Sequence, residues 1–179
     1  LHVDSTGQTR LLKEVIEMWK EGTTTNDASG NTITVQAGHQ ALVTDDSKIS
    51  QFSGVTSRDG TPIGRRISSA GFDFAGTELP MTGDFATGSS VITTNFISAS
   101  FARNPFRHKY HPDHQDGYDI QRVIQLQFSP PPTNAPPGYG DNLIYGLYQE
   151  TVSGLHRTNI VAAGSFRLSR LATTPALNQ

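Results

Sequence analysis

Three of the chain's six histidines lie close together, and no other segment concentrates so much potential chemistry. His108, His111 and His114 follow one another at intervals of three residues, with Asp113 beside the last of them. Histidine is the commonest metal ligand among side chains. Pro112 favours an extended backbone with three residues per turn, which would place the three imidazole rings on one side. The spacing therefore predicts a zinc or copper site built from His108, His111, His114 and Asp113.

A second interpretation of the same segment needs no metal. The adjacent residues Asp113 and His114 would point to opposite sides of an extended chain, and neither a His-x-His nor an HExxH pattern is present. Phe106 and Tyr110 are suited to anchoring a loop by aromatic burial, so the histidines and Asp113 would brace that loop through hydrogen bonds. Both interpretations stay open at the level of sequence.

Catalytic signatures are missing elsewhere. The chain has no G-x-S-x-G elbow, phosphate loop or dinucleotide fingerprint, so we name no catalytic residue and no required cofactor. The absence of cysteine excludes disulfides, thiolate metal sites and cysteine nucleophiles. A metal-dependent hydrolase that uses the histidine cluster is the one enzymatic alternative.

Composition limits the partners. The formal net charge is -2 and charged residues make up 17% of the chain, so there is no basic excess to neutralise phosphates and we expect no nucleic-acid partner. No apolar run reaches the roughly 20 residues that span a bilayer, so we expect no membrane span. Abundant glycine and small polar residues with few charges are typical of a turn-rich β protein.

The elements that position these residues are predicted from periodicity. Apolar residues recur at helical spacing near the N-terminus, which predicts one amphipathic helix over residues 6–21 that ends at Gly22 and buries Trp19. Polar residues 23–31 are expected to be a flexible stretch. Alternating patterns then predict strands from about residue 40 to 171, with 118–128 the clearest and with 143–152 and 160–171 forming a closing hairpin. We expect a single all-β domain over 1–179, an antiparallel β-sandwich or jelly roll.

A proline-rich segment, residues 129–140, carries five of the ten prolines. It cannot be a helix or an inner strand, so it is predicted to be a long extended loop. Either it connects two strands stiffly, or it contacts a partner through Pro131, Pro136 and Tyr139, as Trp19 would do from the helix.

Two segments, NPFRHKYHPDH at 104–114 and GLYQETVSGLH at 146–156, resemble the ends of large bacterial surface or secreted proteins of uncharacterised type. This resemblance implies a bacterial, extracellular or cell-surface location. Because the chain begins at Leu1, we expect it to be processed or cut from a longer polypeptide. We therefore expect a non-enzymatic structural or assembly module whose partner is protein, either itself or its parent assembly. The alternative is a module that binds carbohydrate or another ligand, with the histidine cluster as its metal site.

Overall fold

The structure is a computed structural model that describes residues 1–56, 59–60, 62–69, 74, 76–101, 104, 117–174 and 176–179. Antiparallel strands dominate this part of the chain, which confirms the all-β class. Besides the strands it contains a short 3-10 helix, Asp46–Gln51, capped by the side chain of Asp45. The described strands are β1 (His2–Val3), β2 (Thr9–Leu12), β3 (Glu14–Lys20), β4 (Thr23–Asn26), β5 (Thr32–Gln36), β6 (His39–Val43), β7 (Val55–Thr56), β8 (Pro62–Ile63), β9 (Arg65–Ser69), β10 (Glu78–Pro80), β11 (Thr82–Gly83), β12 (Ser90–Ile97), β13 (Ile120–Phe128), β14 (Leu143–Ser153) and β15 (Ile160–Ser169).

The predicted helix over residues 6–21 is wrong, because this segment forms β2 and β3. β3 is the central strand of a sheet ordered β6-β3-β9 and has apolar neighbours on both faces. Met18 packs in one buried cluster, whereas Val15 packs in another. Apolar residues on both faces remove the alternation that marks a strand, and their spacing then imitates a helix.

The predicted flexible stretch at 23–31 is also wrong in part. Residues 23–26 are β4, which pairs with β5 as an antiparallel hairpin. The carboxylate of Asp27 closes the turn by accepting hydrogen bonds from the backbone N–H groups of Ser29 and Asn31, at 2.8 and 2.9 Å. A polar composition alone indicates a loop, but threonine is also common in strands because its branched side chain suits a pleated surface.

The chain divides into two compact units. The first comprises Leu1–Leu11 and Phe72–Thr173, and it contains a five-stranded antiparallel sheet ordered β11-β12-β13-β14-β15. Its core is centred on Phe128, whose ring meets the edges of Phe85 and Phe166 at centroid distances of 4.7 and 5.8 Å. Gly146 makes room for the Phe166 ring, because a Cβ there would lie 2.3 Å from it. The predicted hairpin of the last two strands is confirmed.

The second unit comprises Leu12–Gly71 and Thr174–Gln179. Two apolar clusters lie on opposite faces of β3, and the C-terminal segment is held by Asn178. The side-chain oxygen of Asn178 accepts hydrogen bonds from the backbone N–H groups of Thr44 and Asp45, at 2.8 and 3.2 Å, and its amide donates to the Thr44 hydroxyl at 3.0 Å. These bonds fix the chain end against β6.

Candidate assembly edge on strand β15

Strand β15 is the last strand of the five-stranded sheet and pairs with β14 along its whole length. The register runs without interruption from Ile160 opposite Val152 to Ser169 opposite Leu143. In the part of the chain that the structure describes, no strand pairs with the other side of β15. Ten residues of backbone therefore form one continuous edge.

The direction of the backbone groups follows from the register and from hydrogen bonds at the strand ends. The Phe128 N–H donates to the Ser89 carbonyl and the Phe128 carbonyl accepts from the Gly88 N–H, so the even residues of β13 bond towards β12. The odd residues of β13 therefore bond to β14. In β14 the odd residues bond to β13, so the even residues of β14 bond to the even residues of β15. The hydrogen bond from the Arg170 N–H to the Asn142 carbonyl, at 2.9 Å, agrees with this assignment. The N–H and C=O groups of the odd residues thus point away from β14: Val161, Ala163, Ser165, Arg167 and Ser169.

The side chains of this strand are also open to solvent. Ile160 is 44% exposed and Val161 is 60% exposed, although they lie on opposite faces of the sheet. Ala162 and Gly164 are exposed as well, and only Phe166 and Leu168 are half-buried, against the core of the first unit. The first half of β15 is therefore uncovered on both faces and along its edge.

The edge lacks the usual devices that block strand addition. Edge strands are commonly protected by lysine, proline, a bulge or short length. β15 has ten residues, no proline and no lysine, and its pairing with β14 has no bulge. Arg167 is its only charged residue. An apolar strand of this kind is suited to backbone pairing with another strand.

The outer face of the same sheet extends this surface. Phe96 and Leu147 are 61% and 58% exposed, and they lie on the face that carries Val161. Between them are mostly amide side chains, including Gln121, Gln125 and Gln149. These groups are neutral, and Arg167 is the only charged residue of β12–β15 on this face, so the face offers apolar and hydrogen-bonding contact with little electrostatic selectivity.

The opposite face of the sheet carries a buried polar network beside β15. The carboxylate of Glu150 accepts hydrogen bonds from the Arg122 guanidinium on one oxygen and from the Tyr148 hydroxyl on the other. Burial raises the pKa of Tyr148 to about 12, with a further contribution from its bond to Glu150. Burial also acts to raise the pKa of Glu150, but the hydrogen bonds from Arg122 and Tyr148 and the Arg122 charge outweigh it, so that pKa is lowered. Both oxygens are engaged, which suits a structural ion pair that holds β13 to β14.

The predicted metal ligands, His108, His111, Asp113 and His114, lie outside the described residues, so the zinc or copper site stays a prediction. Asn104 and Gly117 are the described residues that flank this segment. The Asn104 side chain donates to the carbonyls of Ser98 and Tyr118, at 3.0 and 2.9 Å, and so links described residues on either side of the segment. Among the described residues, no group of three or more histidine, aspartate or glutamate side chains could hold a metal ion.

The predicted interaction residues are divided between the two units, with Trp19 in the second and Pro131, Pro136 and Tyr139 in the first. Trp19 is 43% exposed on β3 and lies so close to Gly38 that a Cβ there would be 2.6 Å from its ring. Pro131 is exposed and Pro136 is half-buried within the proline-rich loop. Tyr139 folds back on its own unit, since its hydroxyl donates to the Ser129 carbonyl at 3.0 Å and its ring is 5.5 Å from that of Tyr145. Whether these four residues contact a partner stays a prediction.

The sequence predicts β15 as a strand and edge strands as subunit contacts, but it does not show that β15 is the strand at the edge. The pattern of Ile160, Ala162, Phe166 and Leu168 indicates an inward face, but it carries no information on which neighbour is absent. The sequence contains one indication of an unprotected edge. The run from 160 to 169 is the last predicted strand, yet it has no proline, no lysine and only one charge.

Comparisons with known proteins return no matching family model, no matching curated protein and no matching solved structure. Within the described part of the chain, none of the helical structure has the length and apolar character needed to cross a bilayer.

Proposed function

We propose that this chain is a non-enzymatic structural or assembly module that joins other protein subunits through the open edge of β15. The observation that carries the proposal is the uninterrupted edge over Ile160–Ser169, whose first half is exposed on both faces and which has a single charge. Unpaired backbone N–H and C=O groups on such an edge gain hydrogen bonds when a strand is added. The exposed Ile160 and Val161 would gain burial at the same time.

The setting we propose is a surface, secreted or filamentous assembly at the bacterial cell surface or outside the cell, and the fold we propose is a β-sandwich or jelly roll. The outer face of the sheet, which is rich in amides and has Arg167 as its only charge on β12–β15, supports an assembly role, because a surface with little charge packs against copies of itself without strong repulsion. The partner is protein, either this chain or its parent assembly.

Particle mass measured by light scattering over a concentration series tests this proposal. Ser165 is the position for the decisive variant, because its N–H points away from β14. In Ser165→Pro the outward donor is lost and the ring obstructs an added strand, while the bonds to β14 remain. Ser165→Thr keeps the donor and is the matched control.

We expect the wild type and Ser165→Thr to increase in mass with concentration, and Ser165→Pro to stay at the mass of one chain. Circular dichroism of all three proteins checks that the fold is retained. A wild type that has the mass of one chain at every concentration would overturn the proposal, and so would a folded Ser165→Pro that assembles like the wild type.

A further inference from the structure

We infer that the strand added to β15 is β15 of a second copy, antiparallel to the first and related to it by a two-fold axis at Gly164. This inference rests on the proposed assembly function and adds the identity of the partner and the register. A second copy fits because this register pairs the outward backbone groups, places apolar side chains opposite each other and keeps the two Arg167 side chains apart.

Hydrogen-bond direction restricts the register. The outward backbone groups belong to the odd residues of β15, so odd residues of one copy must lie opposite odd residues of the other. A two-fold axis near the strand centre can then pass through Ala163, Gly164 or Ser165. With the axis at Gly164, Val161 pairs with Arg167 of the second copy and Ala163 pairs with its Ser165. Four such pairs form across the two-fold axis, and each exchanges two backbone hydrogen bonds.

Apolar contacts distinguish the three registers. With the axis at Gly164, the exposed Ile160 lies opposite Leu168 of the second copy, and Ala162 lies opposite its Phe166. Leu168 and Phe166 already pack against the core of the first unit, so the pairing would extend that core across the axis. An axis at Ser165 would instead put Ile160 opposite Arg170. An axis at Ala163 would keep one large apolar pair, Ile160 opposite Phe166, but would put Leu168 opposite Thr158, outside the strand, so only the axis at Gly164 gives both Phe166 and Leu168 an apolar partner.

Charge is compatible with the same register. Arg167 is the only charge on the strand, and a self-paired edge fails if like charges lie directly opposite each other. With the axis at Gly164, each Arg167 lies opposite Val161, six residues along the strand from the other Arg167. At roughly 3.3 Å per residue the two guanidinium groups are about 20 Å apart along the strand, well beyond the Debye length at physiological salt.

Gly164 also gives a direct test. A Cβ added at Gly164 meets no atom within 4 Å, so Gly164→Cys should fold like the wild type. At the axis the two residues form a non-hydrogen-bonded pair with Cα atoms about 4.5 Å apart, within the range of a disulfide. The natural chain has no cysteine, so the introduced thiol has no competitor within the chain.

The experiment oxidises three single-cysteine variants, Ala163→Cys, Gly164→Cys and Ser165→Cys, and measures the dimer fraction by non-reducing electrophoresis. We expect most of Gly164→Cys to become a disulfide dimer that reductant reverses. The two neighbours should stay near background, because in this register each lies about 8 Å from its own copy, beyond the roughly 7 Å that a disulfide can bridge.

The outcomes separate this inference from the proposed function. Cross-linking at residue 163 or 165 in place of 164 would overturn the register. A particle mass that rises with concentration while none of the three variants cross-links would overturn self-pairing of β15 and leave the assembly function standing. A mass of one chain at every concentration without cross-linking would overturn both.

Discussion

Strands β12 and β15 belong to the same antiparallel sheet, yet they bury their side chains very differently. In β12, Val91 and Ile97 are buried and alternate with exposed residues such as Ile92 and Phe96. In β15 the residues on the corresponding face, including Ile160 and Ala162, remain exposed until Phe166. Alternation in sequence therefore predicts which side chains share a face, whereas burial depends on what covers that face.

The difference also explains why β15 is the candidate site. One face of β12 is covered along the strand, since Val91, Thr93, Asn95 and Ile97 are buried, and β11 pairs with β12 at Val91 and Ile92. β15 has one neighbour in the described structure and a largely uncovered first half. Uncovered apolar residues on an unpaired edge contribute little to the stability of the single chain, but they are available to a partner.

The largest expected effect compares one apolar residue from each environment. Phe128→Ala removes a ring that is 1% exposed and that contacts Phe85 and Phe166, so it should lower the free energy of unfolding by about 4 kcal/mol. Val161→Ala removes a side chain that is mostly in solvent and should cost less than about 1 kcal/mol in the single chain. Urea unfolding at a concentration where the protein is monomeric measures both values.

The same two variants sharpen the comparison when the protein is concentrated. If β15 is buried by self-pairing, the cost of Val161→Ala should grow with protein concentration, because the wild type then gains stability from association. The contrast would be contradicted if Val161→Ala cost as much as Phe128→Ala under dilute conditions. Equal costs would mean that the core already covers β15 in the single chain.

Sequence alone predicted the β class, the strand at 118–128 and the closing hairpin, because apolar residues recur there with a period of two, as at Ile160, Ala162, Phe166 and Leu168. It failed at β3, where two covered faces make Val15 and Met18 equally apolar and remove that period. It failed at β4 because Thr23–Asn26 is polar on both faces. The open edge of β15 was missed for a different reason, since the neighbours of a strand are set by distant segments rather than by its own residues.

The second effect in size comes from the polar network that holds β13 to β14. Glu150→Ala leaves the Arg122 guanidinium, whose side chain is 14% exposed, without its carboxylate and should lower the free energy of unfolding by about 3 kcal/mol. Glu150→Gln is the matched control, because it keeps hydrogen-bonding capacity and loses only the charge. If Glu150→Ala cost less than Val161→Ala, the network would have no role in stabilising the sheet.

The pH dependence of the same network follows from the lowered pKa of Glu150. A carboxyl group whose folded pKa is below its unfolded value of 4.5 stabilises the fold above that pH, and the contribution is lost as pH falls through the folded pKa. The wild type should therefore lose stability more steeply than Glu150→Gln below about pH 4.5. If the free energies of unfolding of the two proteins, measured in urea, fall equally steeply below this pH, this assignment is contradicted.

The smallest effect concerns Tyr148, which lies on β14 opposite Gly164 of β15. Its pKa of about 12 exceeds the ordinary value of 10.0 because of burial and its bond to Glu150, so the folded state retains a proton that the unfolded state loses between these pH values. That contribution to stability is complete below pH 10 and declines as pH rises towards 12. The ultraviolet titration of the wild type minus that of Tyr148→Phe should have a midpoint near 12. A midpoint near 10 would mean that solvent reaches the Tyr148 hydroxyl from the uncovered side of β15. The buried part of the sheet would then end at β13 and would not include β14.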